Sequence, residues 1–229
     1  MTRTTLGWCS AGVLLAATRG QGPWGVAYAP ADPSAPRPAI VFLHGMWASP
    51  EDSCAFFERG AAPFGFLVCP RGNAPLGEGR MWTGTYATVA PSVHAAMRAA
   101  ESLAPGKLDR AAPGTMLGYS NGAYFAVEMA RGEPGRWTGL VLLSMHVELD
   151  AGALRAAGVR RVVLAAADRD GAHDSMRAQA EHLTAAGFPA RFMSLGPGGH
   201  EFPRDMSARM CVAIAWVQDV DPAACGEGQ

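Results

Sequence analysis

From Pro38 onward, short apolar runs alternate with amphipathic stretches of helical length. That alternation is what a parallel sheet covered by helices needs, because each strand is buried on both faces and each helix on one. Residues 39–43 (AIVFL), 65–69, 114–118, 140–145, 162–167 and 191–195 read as strands, and 51–60, 91–103, 121–131, 175–186 and 206–217 as helices. In the helix at 91–103, Pro91 suits the first turn, with Val93, Ala96, Met97 and Ala100 sharing one face. Residues 25–29 read as an antiparallel edge strand. The Pro-rich segment 30–38 and the Gly-containing segment 71–80 are short enough to be loops. The expected class is α/β, a mostly parallel twisted sheet with helices on both faces, forming a single domain over residues 21–229.

Composition narrows the function classes. Hydrophobic residues make up 49% of the 229, enough for one substantial core, and the formal charge is −1. No stretch is dominated by one sign of charge, so a nucleic-acid-binding surface is not expected. No apolar run approaches the ~20 residues of a membrane span. Residues 1–20 carry two readings: a short signal peptide, from Arg3 and the apolar stretch 6–17, or an N-terminal strand. Export to a periplasmic or extracellular space and a cytoplasmic location therefore both stay open. The five cysteines bear on that choice. Cys54 and Cys69 are fifteen residues apart, Cys211 and Cys225 fourteen, and Cys9 lies in the leader-like stretch. Removal of a leader would leave an even four, as a disulfide framework needs; the alternative is ordinary buried thiols.

Chemistry concentrates in Gly118-Tyr119-Ser120-Asn121-Gly122, which fits G-x-S-x-G between a strand and a helix. A serine in such a turn is held in strained backbone with its hydroxyl above the sheet, next to a helix N-terminus that favours developing negative charge. The hydroxyl needs a base. Among six histidines, His200 stands in the glycine-rich loop Gly196-Pro197-Gly198-Gly199-His200 after the last strand, where it can reach Ser120. His44, directly after the first core strand, reads as part of an oxyanion loop, and His146, at the carboxyl edge of the sheet, as a site-lining residue. His94 and His182 fall within helices, and His173 at a helix start. The base needs a carboxylate to orient it. Asp168, Asp170 and Asp174 all follow strand 162–167; Asp170 is preferred, Asp168 is the runner-up, and Asp174 suits a helix N-cap. The chain order Ser, Asp, His is the one expected for this fold.

Together, His44-Gly45-Met46-Trp47, the elbow 118–122, Asp170 and Gly199-His200 resemble the α/β-hydrolases over roughly residues 38–217. The resemblance is to the small lidless branch, similar to dienelactone hydrolases and the carboxylesterase and acyl-protein-thioesterase group. It implies an oxyanion hole formed by the backbone N–H groups of Met46 and Asn121. Two positions depart from the pattern: Ser120 stands where dienelactone hydrolase has cysteine, and Ala167 stands where glycine usually precedes the acid-bearing turn.

Sixteen residues, 146–161, separate the fourth and fifth strands, too few for a cap domain. Trp47, Trp82, Tyr119 and His146 are the candidate substrate contacts, with the two tryptophans as an acyl- or aryl-binding wall. Either tryptophan equally fits a loop packed on the core. The expected activity is hydrolysis of small carboxylic esters through Ser120, His200 and Asp170. A peptidase, amidase or thioesterase with the same triad, and a non-catalytic binding module on the same fold, are the alternatives. No H-E-x-x-H, clustered ligands or Lys-containing phosphate loop occurs, so no metal or cofactor is expected. The sequence sets no oligomeric state.

Overall fold

The computed structural model describes residues 18–30, 35–146 and 148–225. Its elements are, in order, β1 (Thr18–Gly22), β2 (Gly25–Ala29), β3 (Ala39–Leu43), α1 (Pro50–Cys54), α2 (Glu58–Ala61), β4 (Phe66–Pro70), β5 (Ala74–Leu76), β6 (Gly79–Met81), α3 (Tyr86–Leu103), β7 (Gly114–Tyr119), α4 (Asn121–Gly132), β8 (Trp137–Leu143), α5 (Ala151–Ala156), β9 (Arg161–Ala166), α6 (His173–Ala185), β10 (Ala190–Ser194) and α7 (Met206–Val217). A short 3₁₀ turn, Pro222–Cys225, follows. Eight strands form one sheet in the order β1-β2-β4-β3-β7-β8-β9-β10. The β1–β2 and β2–β4 pairings are antiparallel, and all pairings from β4 to β10 are parallel.

The central strands are buried on both faces, which is why β3 reads as an unbroken apolar run. Its side chains alternate between two cores. Ala39, Val41 and Leu43 join the core under α3, α4, α5 and α6. Ile40 and Phe42 join the one under α1, α2 and α7, where the Phe42 and Phe57 rings stack 4.1 Å apart. Both cysteine pairs expected from spacing are bonded, Cys54 to Cys69 and Cys211 to Cys225. The first ties α1 to β4; the second ties the C-terminal turn to α7.

Four local expectations are corrected. The helix expected at 51–60 is two short helices, because the chain turns at Phe57, whose side chain is wholly buried. The helix expected from Pro91 begins a turn and a half earlier, at Tyr86, with Thr85 and Thr88 forming a capping box; Pro91 lies inside it. Within the segment read as a loop at 71–80, β5 and the start of β6 make a small hairpin. Residues 25–29, expected at the sheet edge, form β2 between β1 and β4, and β1 takes the edge. Of the leader-like stretch, residues 1–17 lie outside the described residues, whereas β1 pairs along β2 and spans the boundary drawn after residue 20.

Candidate active site

Ser120 joins β7 to α4 with φ 51° and ψ −121°, a conformation side-chain-bearing residues rarely adopt. The two flanking glycines make this turn possible. A Cβ on Gly118 would lie 2.5 Å from Ala123 Cα, and one on Gly122 would lie 2.1 Å from the Leu43 carbonyl oxygen. The elbow thus packs directly on the end of β3, and the Ser120 N–H donates to Leu143 O at 2.8 Å, fixing it to β8. The loop leaving β3 runs against it: a Cβ on Gly45 would sit 3.4 Å from Ser120 Cβ.

Asp170 and His200 meet through a continuation of the β9–β10 ladder. Beyond the strands, Asp168 N–H donates to Gly196 O and Arg169 N–H to Gly198 O, at 2.8 and 3.0 Å. These bonds hold the acid-bearing and glycine-rich loops side by side. His200 Nδ1 then lies 2.9 Å from Asp170 Oδ2, and the Ala172 N–H donates to Asp170 Oδ1 at 2.9 Å. The Asp170 side chain is 3% exposed and that of His200 51%. Burial by itself would raise the Asp170 pKa, but the Ala172 N–H, the Ser144 hydroxyl and His200 outweigh it and hold the carboxyl below its ordinary range. Asp168 is instead half-exposed and accepts from the Ser194 hydroxyl at 2.5 Å. No hydrogen bond joins the Ser120 hydroxyl to His200 among the described residues. The His200 ring packs on Tyr119, centroid to centroid 5.0 Å, immediately before the serine.

The loop after β3 is braced from below by His44, which is wholly buried. Gly72 N–H donates to His44 Nε2 at 3.1 Å, so the proton is on Nδ1, which donates to Gly45 O at 2.7 Å. Burial pushes the His44 pKa down, in keeping with a neutral ring. The backbone N–H groups of Met46 and Asn121 donate to no described residue. The Asn121 side chain has a separate task, accepting from the Trp82 N–H at 2.8 Å.

The candidate substrate contacts separate. Trp47 is 67% exposed, with φ 59°. Trp82 is 1% exposed and donates from its indole to His44 O at 3.1 Å, so it packs the rim loop down and offers a substrate no wall. Tyr119 is half-buried against His200 and Phe202, and burial raises its pKa, so its phenol stays neutral. His146 is exposed, its Nδ1 2.9 Å from the Ser175 hydroxyl. His94 lies against Glu133, and His173 against Asp174. Two residues outside the sequence reading also shape the site. Phe202, two positions after His200, packs among Phe56, Phe57 and Tyr119 and so anchors the histidine loop. Asn73 bonds reciprocally with the Thr83 backbone at 2.9 and 3.0 Å, closing the rim loop. An aromatic directly after a glycine-rich histidine loop was the available signal for Phe202; for Asn73 there was none.

Among the described residues no three His, Cys, Asp or Glu side chains group to hold a metal ion, and no helix is long and apolar enough to cross a membrane.

No family model and no curated protein matches the chain. Solved structures do. The substrate-bound fluorophosphonate-binding serine hydrolase F of Staphylococcus aureus is similar at TM-score 0.62 and 14% identity, over 88% of this chain and 96% of that one. An S-formylglutathione hydrolase of Agrobacterium tumefaciens follows at 0.61 and 14%, over 89% and 94%. A carboxylesterase of Mesorhizobium loti gives 0.58 and 20%, over 87% and 98%. Sheet order, elbow and these likenesses define one class: the chain has the α/β-hydrolase fold. At such identities the likeness is one of fold, and function has to be argued from the site.

Proposed function

We propose that the chain is a serine hydrolase of carboxylic esters, with Ser120 as nucleophile, His200 as base and Asp170 as the orienting acid. The observation that carries this reading is the 2.9 Å contact between His200 Nδ1 and the buried Asp170, on loops flanking a strained serine elbow. Asp170 holds the Nδ1–H tautomer, leaving Nε2 to take the Ser120 proton as its oxygen attacks the ester carbonyl. Negative charge moves to the carbonyl oxygen, where the Met46 and Asn121 N–H groups receive it. Collapse expels the alcohol, protonated by His200, and leaves an acyl-Ser120 ester. Water, deprotonated by His200, then releases the acid and restores the serine. No described hydrogen bond joins Ser120 to His200, as is common before substrate binds.

Ser120→Ala tests the proposal. Turnover of p-nitrophenyl esters should fall by roughly 10⁶-fold if the three residues act as a unit, and labelling by a fluorophosphonate probe should vanish. Retained turnover with an intact fold overturns it. A chain-length series of the same esters reads the acyl preference, with Trp47 at the exposed rim.

A further inference from the structure

The chain leading to His200 is lightly held. A Cβ on Gly199 would meet nothing within 4 Å, and one on Gly198 nothing closer than 3.6 Å, so close packing does not fix this backbone. Half of the His200 side chain is exposed. Among the described residues its ring makes one hydrogen bond, from Nδ1 to Asp170, and one ring contact, to Tyr119. A single hydrogen bond is a pivot. It fixes Nδ1 but leaves the ring plane, and with it the direction of Nε2, to a second contact. A general base has to present that nitrogen within about 2.6–3.2 Å of the proton it takes. Tyr119 supplies the second contact: its ring centroid lies 5.0 Å from that of His200, with the planes 32° apart, as in an offset aromatic pair.

The Tyr119 ring is itself held on two further sides. Phe202 of the histidine loop lies 4.5 Å away at 56°. Gly45, in the loop after β3, approaches so closely that a Cβ there would sit 3.0 Å from Tyr119 Cδ1. Tyr119 ends β7, pairs with Leu143 of β8 and directly precedes Ser120. Its ring, and not its hydroxyl, makes these contacts.

We infer that Tyr119 is a positioning residue: its ring, wedged between Gly45 and the histidine loop, sets the plane of the His200 imidazole so that Nε2 is directed at the adjacent Ser120. The inference rests on the hydrolase reading above. The peptide that carries the nucleophile thereby carries the guide for its base as well. A tyrosine face also attracts a cation, so the contact survives when His200 takes up the serine proton.

Two substitutions and one spectroscopic reading separate this role from a merely structural one. Tyr119→Leu removes the ring and keeps an apolar side chain. Its kcat for p-nitrophenyl esters should fall about tenfold, the scale of one aromatic pair, with KM little changed. Tyr119→Phe keeps the ring and should restore most of that loss. The His200 side chain is then followed by NMR in a Ser120→Ala background, where the reading is independent of turnover. Its three-bond couplings should report one χ1 rotamer with Tyr119 present and averaging over rotamers in Tyr119→Leu. An active Ser120→Ala protein would sink the hydrolase reading, whereas His200 couplings unmoved by Tyr119→Leu would sink this inference alone. A loss carried by KM would make Tyr119 a substrate contact, and an equal loss in Tyr119→Phe would give the role to the hydroxyl. Either result overturns the inference, as does full kcat in Tyr119→Leu. Should Tyr119→Leu fail to fold, Tyr119→Met, whose unbranched side chain fills irregular space, takes its place in both measurements.

Discussion

The Trp82 backbone N–H donates to the side-chain oxygen of Asn121 at 2.8 Å, across 39 residues of chain. Asn121 is the residue after the candidate nucleophile, so the elbow carries the pin that seats the rim loop, and the buried Trp82 indole in turn caps His44. Removing that acceptor orphans a backbone donor at the buried Trp82, at a cost of about 1–3 kcal/mol. Asn121→Ala should lose stability on that scale by chemical denaturation and lose kcat as well. Asn121→Asp, which retains an acceptor oxygen, should recover most of the stability.

Asp170 and Asp168 are two residues apart and differ in surroundings. Asp170→Asn should lower kcat by about 10⁴-fold, through the wrong imidazole tautomer. Asp168→Asn, at a half-exposed group bonded to Ser194, should change kcat little. Equal losses in steady-state assays would remove Asp170 from its role.

Stability should fall as the solution is acidified, and His44 supplies part of the slope. Burial lowers its pKa in the folded protein. The unfolded chain therefore takes up a proton near pH ~6.5, while the folded ring stays neutral. The contribution is complete above about 6.5 and is lost as pH drops toward the depressed folded value, at up to about 1.4 kcal/mol per pH unit. Asp170, also depressed, acts in the same direction within the carboxylate range. Denaturation midpoints between pH 5 and 7 should show a shallower slope in His44→Gln than in the parent, whatever the absolute loss from the substitution.

Gly122→Ala should prevent folding or cost several kcal/mol, since its Cβ would sit 2.1 Å from backbone at Leu43. Gly199→Ala, where a Cβ would meet nothing within 4 Å, should fold with near-parental stability. Thermal melts of the two variants compare a glycine that permits a close approach with one that does not.

In unreduced, denatured protein at most one of the five cysteines should react with a thiol reagent, because Cys54 pairs with Cys69 and Cys211 with Cys225. Each bridge closes a loop of about 15 residues, and reduction should cost roughly 3 kcal/mol apiece. Four or five reactive thiols would contradict both bonds.

The sequence revealed most where a residue's neighbours along the chain decide its state. Unbroken apolar runs located the central strands, and two glycines around Ser120 located the elbow. Pro91 misled because its ring fits a first turn, yet the capping box at Thr85 starts the helix upstream and leaves the proline one missing bond inside it. The break at Phe57 depends on a ring in another element, Phe42, which local periodicity does not contain. Trp82 was ambiguous for the same reason: its burial comes from His44 and Asn121, both distant in sequence. That Asp170 rather than Asp168 lies against His200 rests on main-chain pairing past the strand ends, which the residue order does not contain.

That pairing, Asp168 to Gly196 and Arg169 to Gly198, is made by backbone atoms alone. Substitutions that keep the backbone path leave its register intact, so the spacing of Asp170 and His200 is insulated from changes in the side chains around them. Such a scaffold suits loop transplantation and directed evolution, because the exposed surface around Trp47 can be diversified while the geometry between Asp170 and His200 is inherited unchanged.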